Sequence, residues 1–314
     1  MAVVAGTSGT AAMADAERAA GHAAGAGSIA LTVHGVRAGR GFSARDHVAE
    51  EVPVALEFNG VSHAVMLASP LDLEDFALGF ALSEGILDAA HELRGVEEER
   101  SALGITLKLE VTSGPFARLK ERRRTLAGRT GCGLCGTESL AQVQRALPPP
   151  APPGAPWHRA AIGRAMAQLQ SMQALQQATG AVHAAAWCDA EGEVRCLRED
   201  VGRHNALDKL VGALARSRVE AAAGFIAITS RASFEMVQKA AQAGVSLLAA
   251  VSAPTSLAVA TAERAGMTLV GFARQDDLVA YSHADRLALD LQAQRAEHME
   301  QSEPMEQMES RDAR

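Results

Sequence analysis

The chain has 314 residues, 48% of them hydrophobic and 21% charged, enough ordinary globular sequence for one large domain or two small ones. That balance excludes collagen-like, mucin-like and wholly disordered chains. Aromatics make up only 4%, Tyr281 is the single tyrosine and the net charge is −7, so neither base stacking nor overall electrostatics points to nucleic acid.

The charge is unevenly placed. Glu297, Glu300, Glu303, Glu306, Glu309 and Asp312 recur at every third position against only Arg311 and Arg314, so this short tail carries more than half of the net charge. The rest of the chain is near neutral and leaves room for a local basic patch. Residues 1–28 read as an Ala/Gly-rich extension, expected to be disordered. Asp15, Glu17 and Arg18 interrupt any apolar core that a secretory leader would need. The uncharged stretch from Ala240 to Ala262 is long enough to span a bilayer, but Gln242, Gly244, Pro254 and its Ser/Thr residues read better as helix end, strand, turn and helix. Four cysteines are too few for a disulfide scaffold in a chain of this size. The expectation is a soluble cytoplasmic protein that binds no membrane and keeps its thiols mostly reduced.

An N-terminal lobe is expected over 29–147. Within it, Val52–Gly60 reads as a strand ending in an Asn-Gly turn, and Val61–Leu67 as its return. Ser69-Pro70-Leu71-Asp72 then predicts a helix start, with Ser69 as N-cap and Pro70 in the first helical position. Leu73, Phe76 and Phe80 share its apolar face, and Gly85 ends it.

The lobe ends in Gly131-Cys132-Gly133-Leu134-Cys135-Gly136, two thiols on a glycine-rich loop that other molecules can approach closely. Upstream lie Arg118, Lys120, Arg122, Arg123, Arg124 and Arg129, opposed in sequence only by Glu121. Cations beside a thiol favour the reactive thiolate. The spacing fits a sulfur-relay thiol, a dithiol redox pair or half of a metal site. Cys188 and Cys196 are a poor second pair of metal ligands, since seven residues separate them.

Six of the eleven prolines fall in 148–156, a semi-rigid spacer before a second lobe over 157–290. There Arg198–Leu210 brings Arg203, His204 and Asn205, with Asp200 and Asp208, to the start of a helix whose face is Leu207, Leu210, Val211 and Leu214. Such a dense polar group at a helix start reads as a binding or proton-handling site. Apolar strands are predicted over Gly224–Thr229, Val245–Val251 and Met267–Phe272. Helices between them cover Ser233–Ala243 and Pro254–Ala265, stopped by Gly244 and Gly266. Short connections and uniformly apolar strands predict a parallel sheet covered on both faces. Thr229, Ser230, Arg231 and Ser233, with Ser252, Thr255 and Ser256, then fall where strands end and helices begin. Ligands of open α/β sheets bind at that edge, and hydroxyls plus Arg231 suit phosphate or diphosphate. Neither loop matches a P-loop or a dinucleotide fingerprint. The tail over 291–314 is Gln/Glu/Met-rich and is assigned no function.

Together these segments resemble the formate dehydrogenase accessory sulfurtransferase family (FdhD/NarQ). The residues that carry the resemblance are Asn59-Gly60, Leu73-Glu74-Asp75, Gly79-Phe80, Glu84-Gly85, the Cys132/Cys135 loop, Asp200-Val201-Gly202-Arg203-His204-Asn205-Ala206 with Asp208-Lys209, Ser230-Arg231 with Glu235 and Lys239, Ala253-Pro254-Thr255-Ser256, and Gly271-Phe272. They span roughly residues 30–287.

The resemblance implies an α/β fold with a cytidine-deaminase-like three-layer α/β/α core and a smaller N-terminal lobe. It implies a cytoplasmic homodimer that takes sulfur from a cysteine desulfurase as a persulfide on Cys132, assisted by Cys135. The sulfur then passes to a molybdenum or tungsten bis(molybdopterin guanine dinucleotide) cofactor, bound as substrate, before that cofactor enters formate dehydrogenase. Cofactor binding maps to Phe272, Ala273, Arg274, Gln275, Asp276 and Asp277, where Gln275-Asp276-Asp277 departs from the family's Gly-Asp-Arg-like run. Arg203, His204, Ser230, Arg231, Thr255 and Ser256 are the further expected contacts. Deaminase chemistry and a catalytic zinc are not expected, since no His-x-Glu precedes the cysteine pair. A chaperone that holds the cofactor without moving sulfur shares every feature except the cysteines.

Overall fold

The computed structural model describes residues 26–126 (backbone only from 122), 147–275 and 277–289. Cys132, Cys135, Asp276, most of the N-terminal extension and the acidic tail lie outside them.

The described residues open with a hairpin for which the sequence reading named no element, β1 (Ser28–Arg37) paired antiparallel with β2 (Arg40–Ala49). Ala38 and Gly39 both take positive φ, the geometry of a tight two-residue hairpin turn. The hairpin leads into the first sheet, where β3 (Val52–Phe58) and β4 (Val61–Ala68) pair antiparallel across Asn59-Gly60. Asn59 also pairs like a strand residue with Val111, donating through Nδ2 to its carbonyl and accepting its N–H. β5 (Leu93–Ser101) and β6 (Gly104–Val111) complete the sheet in the order β4-β3-β6-β5, with β3 parallel to β6. Val54, Leu56 and Phe58 alternate with outward residues and bury against Phe76 and Phe80 of α1 (Leu73–Ser83).

That helix starts later than the sequence predicts. Asp72 stands at the N-cap with φ +52°, and no side chain caps the helix. Ser69 is fully buried and engages the second lobe instead: its N–H donates to Asp200 and its hydroxyl accepts from the Val201 N–H. Helix α2 (Ser113–Leu126) then runs toward the cysteine segment.

After the proline segment, β7 (Trp157–His158) leads into α3 (Arg159–Met172) and α4 (Ala174–Thr179). The second sheet has six strands: β8 (His183–Cys188), β9 (Val194–Asp200), β10 (Phe225–Ile228), β11 (Leu247–Ala250), β12 (Thr268–Arg274) and β13 (Asp277–Ser282). Their order is β13-β12-β11-β10-β8-β9, and β10, β11 and β12 are parallel, as the apolar runs predict. A short β14 (Leu287–Ala288) pairs with β7. On one face Ile226, Ile228 and Leu248 pack against α5 (Arg203–Arg216), α6 (Phe234–Gln242) and α7 (Ser256–Ala265). On the other, Phe225, Ala227 and Ala249 pack against Ile162, Met166 and Leu169 of α3. Strand alternation thus gives a three-layer α/β/α arrangement. The stretch from 240 to 262 comprises the end of α6, β11 and part of α7, and no helix among the described residues is long and apolar enough to cross a membrane.

The two lobes join through α1 and α5. Gly79 and Gly212 permit the contact: a Cβ on Gly79 would run into the Asp208 carbonyl, and one on Gly212 into the Asp75 carbonyl. Arg198 and Arg216 both bind the Asp75 carboxylate at 2.8 Å across the same seam.

Candidate functional site

The seam absorbs much of the polar run that the sequence suggested as a site. Asp200, Asn205, Asp208 and Lys209 are all buried. Asp200 accepts from Ser69 N–H, Gly202 N–H and Asn205 Nδ2, and pairs with Lys209 at 2.7 Å. Asn205 Nδ2 also donates to the Leu67 carbonyl at 2.7 Å. Asp208 accepts from Ser83 Oγ at 2.6 Å and from Lys239. Lys239 reaches Glu84 at 2.6 Å as well. Burial works to lower the Lys239 pKa, but Asp208 and Glu84 hold it above its ordinary value, so the ammonium stays charged. These four side chains hold the lobes together and are closed to a ligand.

Arg203 and His204 differ from them. They open α5 on the side where α6 begins, and both stay partly exposed. His204 Nε2 faces Glu235 Oε2 at 3.9 Å, while Ser233 Oγ donates to the same Oε2 at 2.8 Å. Arg203 Nε and His204 Nε2 are buried with no hydrogen-bond partner among the described residues. Burial, with Arg203 and Lys239 beside it, pushes His204 down to about 4. Burial works to raise the Glu235 carboxyl, but the Ser233 hydroxyl, its own backbone N–H, His204 and Arg203 hold it below the usual carboxylate range. At neutral pH the edge therefore carries a neutral imidazole beside a carboxylate.

This arrangement has a stability signature. Above its unfolded pKa of about 6.5, His204 is neutral in both states. As pH falls from there toward 4, only the unfolded chain takes the proton, so stability falls. Between pH 7 and pH 5 the wild type is expected to lose about 2 kcal/mol more than His204→Gln, read as urea midpoints at the two pH values.

The parallel strand ends converge beside this pair. Ala232 and Pro254 form a parallel bridge, Thr255 N–H donates to the Ala232 carbonyl at 3.0 Å and Phe272 N–H to the Ser252 carbonyl at 3.4 Å. Gly271 has no room for a side chain: a Cβ there would sit 2.9 Å from both Pro254 and Tyr281. The three loops are thus tied to one another.

The expected binding residues take different positions along this edge. Thr255 caps α7, accepting from Ala258 N–H at 3.3 Å, and Ser256 beside it is exposed. Ser230 is buried with its hydroxyl on the Arg231 carbonyl, while Arg231 is exposed. Ala273 is buried in the core, whereas Arg274, Gln275 and Asp277 are exposed on the β12–β13 turn. Phe272 holds φ +52° and leaves 45% of its surface exposed. A bulky residue in the left-handed region is costly and clusters at functional sites, and an exposed ring there is available to stack on a ligand.

Upstream of the cysteines, the basic run is less free than its sequence suggests. Arg118 is engaged by Asp88 at 2.9 Å and donates to the Ile86 carbonyl. Lys120 is exposed, with its ammonium 4.1 Å from the Phe116 ring centroid. Cys188 is buried, which pushes its thiol pKa up and makes it inert.

A family profile described as the FdhD/NarQ family matches residues 49–288. A protein named sulfur carrier protein FdhD from Variovorax paradoxus (strain S110) is 70% identical over 257 residues, which is 82% of this chain and 92% of that one. One of the same name from Cupriavidus necator is 60% identical, covering 77% of this chain and 84% of its own. In three dimensions the chain is similar to the crystal structure of a protein from Desulfotalea psychrophila described as a formate dehydrogenase accessory protein. That match has a TM-score of 0.65 and 25% identity, covering 83% of this chain and 99% of that one.

Proposed function

Because the chain belongs to the FdhD/NarQ family, we propose that it is a sulfurtransferase working by persulfide relay. Cys132 takes sulfur from a cysteine desulfurase as a persulfide, assisted by Cys135. The strand edge holds a molybdenum or tungsten bis(molybdopterin guanine dinucleotide) cofactor as substrate, and the sulfur passes to it before insertion into formate dehydrogenase. The protein acts as a cytoplasmic homodimer.

The observation that carries this reading is the 70% identity to a protein named as a sulfur carrier, together with a family match whose span includes both cysteines of the glycine-rich loop. The edge geometry supports it. Exposed Phe272, Arg231, Arg274 and Ser256 offer a stacking face, two cations and a hydroxyl to a ligand with a guanine base and diphosphates. In sequence the cysteines follow a basic segment, and cations beside a thiol favour thiolate.

Incubation with a cysteine desulfurase and cysteine, followed by intact-mass and peptide mass spectrometry, is expected to add one sulfur, about 32 Da, to Cys132. Reduction with dithiothreitol should remove it. A wild-type protein that gains no adduct yet binds the guanine dinucleotide cofactor would be a cofactor-holding chaperone, and the relay would be rejected.

A further inference from the structure

The β1–β2 hairpin stands as a two-stranded sheet of its own, with neither edge paired to another strand among the described residues. Such a ribbon is marginal in water unless one face is covered. Its base is fixed: the Gly27 carbonyl accepts from the Glu50 N–H at 2.7 Å, and Gly27 lies against Leu71 and Leu175. The register sorts its side chains by face. One face carries Ser28, Thr32, His34, Ser43, Arg45 and His47. The other carries Ile29, Leu31, Val33, Phe42, Ala44 and Val48, broken by Asp46 and ending at the tip in Arg37 and Arg40. Ile29, Leu31, Phe42 and Val48 are exposed, and the Arg37 guanidinium lies 5.5 Å from the Phe42 ring centroid.

The first sheet leaves a matching face open. Its inner side packs on α1, while Pro53, Ala55, Val65 and Leu67 meet on the outer side of β3 and β4, with Val65 60% and Leu67 58% exposed. Toward β6 and β5 the same side turns acidic: Glu57, Glu97, Glu99 and Glu110 lie there with Lys108, which Glu99 holds at 2.8 Å. Both apolar faces are exposed in one copy, so neither covers the other within the chain. Val33 to Arg37 spans about 14 Å along the hairpin, and β4 to β5 about 14 Å across the sheet. A hairpin crossing the sheet strands at a steep angle, with its apolar stretch on β4 and β3, therefore brings Arg37 and Arg40 over the acids of β5.

We propose that these two faces meet between two copies of the chain, the hairpin of each lying across the outer face of the partner's first sheet; this rests on the homodimer reading above and gives it an interface. A two-fold axis makes the contact twice, so about 1,200 Å² of surface is buried in all, the lower end of a stable interface. Hairpin packed on hairpin would bury only about half of that, the size of a crystal contact. The apolar stretches supply the burial, and the arginines facing carboxylates fix the direction of crossing.

Sedimentation equilibrium on the full-length chain tests this. The wild type should be a dimer at micromolar concentration. Leu31→Glu on the hairpin and Leu67→Glu on the sheet should each weaken dimerisation about 100-fold, because the two-fold axis sets each added charge twice into an apolar contact. Reversing the tip, Arg37→Glu with Arg40→Glu, or the sheet acids, Glu97→Arg with Glu99→Arg, should weaken it about tenfold, and combining all four should return it to within about threefold of the wild type. All six side chains are exposed, so the variants should keep the wild-type circular dichroism spectrum. A dimer indifferent to these changes forms elsewhere on the molecule, which overturns the proposal and spares the homodimer. A dimer weakened by the hairpin variants but not by the sheet variants, or the reverse, overturns it too, as does a fourfold variant no tighter than either charge reversal. A wild type that stays monomeric up to the limit of its solubility overturns the homodimer reading and this proposal with it, and leaves the hairpin face to another protein or to a segment of its own chain.

Discussion

Lys209→Ala is expected to lower the thermal midpoint by about 10 °C. Lys209 is fully buried, its ammonium held at 2.7 Å from Asp200 and 2.9 Å from the Ser69 carbonyl. Removing it leaves the buried Asp200 with only neutral donors and the Ser69 carbonyl with the Leu71 N–H alone. Breaking one side of a buried pair costs about 3–5 kcal/mol, against a total stability of about 5–15 kcal/mol for a typical domain. Attraction between the charges is not the main source of the loss, since burying a pair is itself expensive. The double variant Asp200→Asn with Lys209→Met should therefore recover part of it. Circular dichroism melts of the three proteins check this. A fall of about 2 °C or less for Lys209→Ala would mean that water reaches the seam and that the pair behaves as a surface one.

The same seam marks where sequence reading reaches its limit. The run from Phe225 to Phe272 is legible because both faces of its strands are covered, so apolar residues are continuous and glycines mark the helix ends. The 52–67 hairpin is legible because Asn59-Gly60 accepts the left-handed turn that the strand twist demands. Ser69 is misread because capping grammar is local. The residues that claim it, Asp200 and Val201, lie more than 130 positions away, and that partnership outweighs an N-cap. Asp200, Asn205, Asp208 and Lys209 read as a ligand site because a charged cluster at a helix start looks alike whether solvent or another lobe faces it. Only the pair at its tip, Arg203 and His204, turns to the strand edge. Glu235 is among the residues that carry the family resemblance, but apart from that it is one acid in a first helical turn, where dipole compensation is the ordinary explanation. Its proximity to His204 follows from the crossing of α5 and α6, which no spacing encodes. The β1–β2 hairpin is silent because most of its residues are exposed, and Ala38-Gly39 is a poor turn signal.

Cys132→Ala is expected to abolish formate dehydrogenase activity in a cell that depends on this chain, while Cys135→Ala leaves a reduced but measurable fraction. The asymmetry follows from the relay. A persulfide needs one sulfur to hold the transferred atom, and no other residue type can replace it. The second thiol only assists resolution or release, which solvent or a small thiol can partly perform. If the loss is one of chemistry alone, both variants melt with the wild type and retain cofactor binding. That separates lost chemistry from lost structure. Cell extracts assayed for formate oxidation, with immunoblots to equalise the carrier and the dehydrogenase, give the comparison. Substituting Cys188 is the internal standard: its thiol is buried in the second lobe with its pKa pushed up, so it is chemically silent. Cys188→Ala should therefore keep full activity, at a small cost in packing. Equal activity of Cys132→Ala and wild type would mean that sulfur does not travel through this chain, and the strand edge would then serve only to hold the cofactor.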